Sequence, residues 1–199
     1  MLADGEPLFW ARDAAAFWAR VEQELMIAVA NLAPHRVFVH CGVVGWRGEA
    51  FVFPGTSFSG KTTLVRALVQ AGMSYYSDEY ALFDRAGRVH PYPRALQVRK
   101  PGQAQQRKLP VGRLGGVVGR RSLPVTHVIF SQYRAGASWA PRLVPPGRAV
   151  LEMLRHTISV QRAPQTALQT LSVVMAKATA VKGTRGEVQQ LIEYLLNAP

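Results

Sequence analysis

The stretch Pro54-Gly55-Thr56-Ser57-Phe58-Ser59-Gly60-Lys61-Thr62-Thr63 decides how this chain is read. A glycine, four residues, then Gly-Lys-Thr is the Walker A spacing of a phosphate-binding loop. Each residue type has a physical reason to be there. Gly55 and Gly60 let the backbone turn and bring its N–H groups close to phosphate oxygens. A helix opening at Lys61 adds the partial positive charge of its N-terminus. Lys61 can span the β- and γ-phosphates, and the Thr62 hydroxyl can coordinate Mg²⁺. The run from Gly55 through Thr56, Ser57, Phe58, Ser59 and Gly60 to Thr63 is therefore the expected seat of ATP or another nucleoside triphosphate.

The flanks suit such a loop. Arg36 to Trp46 is a β-branched run, Arg47-Gly48 is a turn signal, and Ala50 to Phe53 returns as a second strand, so a hairpin is expected. Behind the loop, Lys61 to Ala71 reads as a helix with Leu64, Ala67 and Leu68 on one face, closed by Gly72. Met73 to Ser77 reads as a strand able to lie beside the loop strand, ending at Asp78-Glu79. Tyr80 to Phe83 turns at Asp84-Arg85-Ala86-Gly87 and pairs with Arg88 to Tyr92. Further strands are expected at Val125–Tyr133, Trp139–Val144 and Ala178–Lys182. Helices are expected at Asp13–Leu32, Arg148–Ile158, Pro164–Met175 and Thr184–Asn197. The fold class is α/β: a P-loop nucleotide-binding domain with a mixed parallel and antiparallel sheet flanked by helices. One domain spans residues 1–199, with an N-terminal helical segment at 1–34. Residues 100–123 read as a long mobile loop.

Composition excludes several classes. Hydrophobic residues make up 48% of the 199, too many for a disordered chain. No apolar run is long enough to span a membrane, and the acidic start Met1-Leu2-Ala3-Asp4-Gly5-Glu6 has no secretory pattern. Cys41, the single cysteine, can form no internal disulfide. A cytoplasmic location is the expectation. The net charge is +12, and no acid occurs between Asp84 and Glu152, a stretch carrying 13 of the 24 basic residues. Such a one-signed block suits an anionic partner: phosphates, an acidic peptide or nucleic acid. There is no base-reading motif, so nucleic acid is not expected. A homo-oligomer is left open.

A nucleotide-bound metal needs a carboxylate besides Thr62. After the loop and before Glu152 only Asp78, Glu79 and Asp84 are available. Asp84 belongs to a turn, where Asp is common for local reasons. Asp78 and Glu79 stand at a strand end, the right place for a metal-side carboxylate. His40 sits mid-strand, where a core role and a functional role are both open. His35, His90, His127 and His156 have no ligand spacing.

In order, His40-Cys41-Gly42-Val43-Val44, Arg47-Gly48, Gly55 to Thr62 and Asp78-Glu79 resemble the catalytic domain of HPr kinase/phosphorylase and its kinase-like relatives. The resemblance covers about Arg36 to Arg99. It implies that Asp78 accepts the proton of an acceptor hydroxyl, that Glu79 stands near Mg²⁺ in place of a second aspartate, and that His40 faces the phosphates. The family's Glu-apolar-Arg-Gly stretch has its nearest match in Gln97-Val98-Arg99-Lys100, without the carboxylate. Pro146-Gly147-Arg148 is similar to a Pro-Gly-Arg segment of the family. Shorter relatives act beside ribosomally made peptides, and some phosphorylate a peptide serine.

The expected activity is ATP-dependent transfer of the γ-phosphoryl group to a hydroxyl of a protein or peptide. Lys61, Thr62, Asp78, Glu79 and His40 would carry it. Arg99 first and Arg148 second are the candidates to stabilise charge on the transferring group. A nucleotide hydrolase or switch, and a non-catalytic nucleotide-binding module with a basic partner face, are the alternatives.

Overall fold

A computed structural model of the chain describes residues 2–3, 6–7, 9–33, 35–56, 59–99 and 106–197. They fall into two compact units, Met1–Pro34 and His35–Pro199. The first holds a short antiparallel pair, β1 (Leu2–Ala3) and β2 (Glu6–Pro7), and the helix α1 (Ala14–Leu32). Asp13 caps α1 in extended conformation, its Oδ1 accepting the Ala16 N–H at 2.8 Å. Arg20 and Glu24, one turn apart, form an ion pair at 2.7 Å.

The second unit is built on one mixed sheet. Its strands are β3 (Val37–Trp46), β4 (Glu49–Pro54), β5 (Ser74–Ser77), β6 (Tyr80–Phe83) and β7 (Arg88–His90), and later β10 (Leu123–Tyr133), β11 (Arg142–Leu143) and β12 (Thr179–Arg185). The order is β11-β12-β10-β4-β3-β6-β7, with β5 also paired to β3. Strand β10 runs parallel to both β4 and β12, and the remaining pairings are antiparallel. The N-terminal end of β10 also pairs with β7, so β4, β3, β6, β7 and β10 close a circuit of paired strands.

Helices cover both faces. Val39, Cys41 and Val43 of β3, with Val52 of β4, point to the layer formed by α3 (Pro146–Leu154) and α4 (Pro164–Met175), where Met153 and Leu171 are fully buried. Val44, Phe51, Phe53 and Ile129 point the other way, onto α2 (Lys61–Gln70) and α5 (Gln189–Leu196), where Leu64, Leu68 and Leu191 are buried. This is the period-two alternation of a strand with both faces dry, which is why β3 reads as a nearly continuous apolar run. Truncating a leucine such as Leu68 to alanine there costs about 2–5 kcal/mol.

The α/β class with a mixed sheet agrees with the sequence reading; several elements do not. The strand Ser74–Ser77 pairs with β3 instead of the loop strand, because β4 already has β3 on one edge and β10 on the other. Within the span read as a long loop, β9 (Gln106–Leu109) pairs with β8 (Leu96–Arg99), and a 3₁₀ turn follows at Val111–Leu114. Val111 is buried in the α2 layer. Residues 100–105 lie outside the described residues. Thr184 and Arg185 extend β12 and do not begin the last helix, since their pairing with Gln132 and Tyr133 outweighs local spacing. The strand expected at Trp139–Val144 contracts to β11, and α3 ends at Leu154. Among the described residues no helix is long and apolar enough to cross a membrane.

Candidate functional site

The parallel strands β4, β10 and β12 bring their C-terminal ends to one edge of the sheet, where an open cleft of about 790 Å³ lies. Gly55, Thr56 and Ser59 form one wall, Ser131 and Tyr133 another, and His156 a third. The chain leaves β4 at Pro54, passes the glycine loop and enters α2 at Lys61. Gly60 is the N-cap residue, at φ 83°, a left-handed conformation that favours glycine. Among the described residues no side chain caps α2, so its first-turn N–H groups need other partners.

Lys61 is 9% exposed, and its ammonium curls back onto the loop. Nζ donates to the carbonyl oxygens of Gly55 at 2.9 Å and Thr56 at 2.6 Å. Burial lowers its pKa, while the Asp78 and Glu79 carboxylates pull it back up. One residue on, the Thr62 hydroxyl donates to Asp78 Oδ2 at 3.0 Å. The Tyr75 hydroxyl is 2.8 Å from both Asp78 Oδ1 and the Arg94 carbonyl, and its one proton serves either acceptor at a time. Burial first, and then the Asp78 carboxylate, push the Tyr75 phenol well above its ordinary range, so it stays a donor. Asp78 is thus 8% exposed, facing two hydroxyls from different elements. Glu79 turns to Arg94, with Oε2 to Nη1 at 3.0 Å. Its backbone carbonyl accepts the Cys41 N–H at 3.1 Å, which fixes the acidic pair against β3.

His40 lies behind the loop. Its carbonyl accepts the Gly55 N–H at 3.2 Å, and its own N–H donates to the His156 carbonyl at 2.8 Å. Burial, then the Lys61 cation and His156, bring its pKa to about 4, so the ring is neutral near pH 7. Burial likewise pushes the Cys41 thiol up, making it a protonated core side chain. Asp84 is a turn residue: it accepts the Ala86 and Arg88 N–H groups at 3.0 Å each and faces His90 at 2.7 Å.

The structure therefore brings together Gly55, Thr56, Ser59, Gly60, Lys61, Thr62, Asp78 and His40, with exposed Thr63 in the first turn of α2. Ser57, Phe58 and the Arg99 side chain lie outside the described residues. Arg148 stands on the outer face of α3 and is not among the residues lining the loop cleft. Among the described residues, no group of three or more His, Cys, Asp or Glu is arranged to hold a metal ion.

Three residues escaped the sequence reading. Arg185, at the end of β12, is 3% exposed and donates from Nη2 to the Gly60 carbonyl at 3.2 Å. Its Nε is buried without a hydrogen-bond partner among the described residues, its guanidinium lies 5.5 Å from the Tyr133 ring centre, and burial lowers its pKa. Arg94 joins Glu79 to Tyr75. His156 enters from the end of α3. None carries a local motif; pairing of distant strands and helices puts each in place. Neither a protein-family model nor a curated protein matches the sequence.

Proposed function

We propose that this chain is an ATP-dependent kinase of a protein or peptide hydroxyl, with a P-loop at residues 55–62. The observation that carries the reading is the junction at the start of α2. A helix N-terminus that no described side chain caps follows a glycine loop, a buried lysine lies over that loop, and a hydroxyl–carboxylate pair, Thr62 and Asp78, stands beside it. Oxygen donors of this kind suit Mg²⁺, which is usually held by one or two carboxylates plus substrate phosphates and keeps several waters. Thr62, with Asp78 or Glu79, would hold it. Mg·ATP supplies the electrophilic phosphoryl group and a cation that neutralises its charge.

The protein's own groups have separable tasks. The N–H groups of the loop and of the first turn of α2 donate to phosphate oxygens. Lys61 exchanges the Gly55 and Thr56 carbonyls for phosphate oxygens, which draw the cation more strongly. His40, neutral near pH 7, backs the loop through its carbonyl and adds no repulsion to Lys61. Asp78 accepts the acceptor's hydroxyl proton as that oxygen bonds to phosphorus and the bond to the leaving ADP oxygen breaks. Tyr75 orients Asp78 for this.

Two substitutions test the reading. Lys61→Ala should weaken Mg·ATP binding by about 10²-fold while barely changing adenosine binding, as seen by calorimetry. Asp78→Asn should keep Mg·ATP binding within a few-fold and slow phosphate transfer to a serine peptide by about 10²-fold or more. A marked loss of Mg·ATP affinity in Asp78→Asn would make Asp78 the metal anchor instead of the base. Equal ATP affinity in wild type and Lys61→Ala would end the proposal. Release of phosphate without an acceptor would favour a hydrolase, and binding with no turnover would favour a non-catalytic module.

A further inference from the structure

The outer face of α3 and the edge strand β11 together form a groove of about 530 Å³. Arg148, Leu151, Glu152 and Arg155 recur at helical spacing on the side of α3 opposite the buried Ala149, Val150 and Met153. Across from them stand Arg142 and Leu143, on the terminal strand of the sheet order. Leu143 is 78% exposed and Leu151 62% exposed, so two aliphatic side chains face solvent between three arginines. Among the described residues Glu152 is the one carboxylate lining the groove, and Lys182 engages it at 2.6 Å. Arg142, Arg148 and Arg155 have no carboxylate of their own among the described residues. The groove shares Arg142, Glu152 and Lys182 with the cleft at the glycine loop, so the two are continuous.

We infer that this groove is the docking site for an acidic, leucine-containing peptide segment of the phosphoacceptor, and that it leads the acceptor hydroxyl toward Thr56 and Ser59. That the docked peptide is also the phosphoacceptor rests on the kinase reading; the docking itself does not. Charge complementarity chooses the occupant. Three unneutralised guanidinium groups attract carboxylates through their charge. The exposed leucines supply apolar contact between those charges, which a phosphate backbone cannot use. Among the described residues no aromatic side chain lines the groove, so it offers no stacking platform of the kind single-stranded nucleic acid uses.

The test uses the full chain without nucleotide and a fluorescein-labelled peptide of alternating Asp and Leu around one Ser, followed by anisotropy. Wild type should bind it. Arg142→Glu with Arg155→Glu should weaken binding by on the order of tenfold or more, because exposed charges act through attraction and its salt dependence. Arg142→Lys with Arg155→Lys should retain binding within a few-fold, and the same peptide with Lys for Asp should not bind. Both pairs are surface changes, and an unchanged unfolding midpoint confirms that the variants are folded. Wild-type affinity in the Glu pair, or tighter binding of an oligothymidine of equal charge, would overturn the inference. Fluorescent ATP titrated into the same samples reads the kinase proposal separately. ATP binding without arginine-dependent peptide binding defeats the groove, and arginine-dependent peptide binding without ATP binding leaves the groove standing while defeating the kinase.

Discussion

The imidazole of His40 takes up its proton only near pH 4 in the folded protein, against an ordinary value of 6.5. Burial is the largest cause, and the Lys61 cation and His156 add to it. The sign follows from linkage. The unfolded chain binds this proton near pH 6.5 and the folded one near 4, so the stability due to His40 is complete above 6.5. It falls as the pH drops through that interval and levels off below it, a total of roughly 3 kcal/mol. His127 and His156 are also shifted down by burial and titrate on the same side, so a difference between variants isolates His40. His40→Gln should flatten the acid limb of a urea-midpoint-against-pH curve by about that amount. Parallel acid limbs for both proteins would show that the ring is not held neutral by the fold.

Two turns show how much more the loop into α2 demands than an ordinary hairpin. The β3–β4 hairpin turns at Arg47, φ 50°, and Gly48, φ 84°, the paired positive values of a tight two-residue turn. A methyl group added at Gly48 meets nothing within 4 Å, so Gly48→Ala costs only the left-handed backbone, about 1–2 kcal/mol. At Gly60 the same methyl would stand 2.7 Å from Arg185 Nη2. Gly60→Ala pays the backbone term and also displaces the buried guanidinium from the Gly60 carbonyl, a further 1–3 kcal/mol or so. Urea unfolding of the two variants should separate them by that second amount, and equal losses would mean Arg185 does not hold the loop. Gly60, Lys61 and α2 were legible because their signal is local: a spacing, a helix period and a glycine stop. Arg185 was not, because only the parallel register Tyr133 to Arg185 carries it there. The same holds for Ser74–Ser77, whose strand character was readable although its partner depended on which edge of β4 was already taken.

Across the whole molecule the excess of cations sets a behaviour that no single contact does. The net charge is +12, and a protein so far from neutrality is destabilised by self-repulsion. Ion pairs such as Arg94–Glu79 and Lys182–Glu152 each use an acid as well as a base, so they leave the excess unchanged. Two of the arginines in the acid-free stretch are spent on structure, Arg88 on the Ser122 hydroxyl at 3.0 Å and Arg94 on Glu79. Others, including Arg142 and Arg148, remain exposed. Salt should then act in opposite directions on folding and on the proposed docking of an acidic peptide. Raising KCl from about 0.01 M to about 0.15 M shortens the Debye length from about 30 Å to about 8 Å, which removes most repulsion between distant surface cations. A gain on the order of 1 kcal/mol would raise Tm by roughly 2–4 °C for a chain of this size. Over the same range the acidic peptide should bind progressively more weakly, since its attraction is screened by the same ions. Scanning calorimetry and anisotropy on one salt series measure both. A Tm that falls with KCl would mean that attractive pairs outweigh the cationic excess, and the one-signed stretch would then not dominate the surface field.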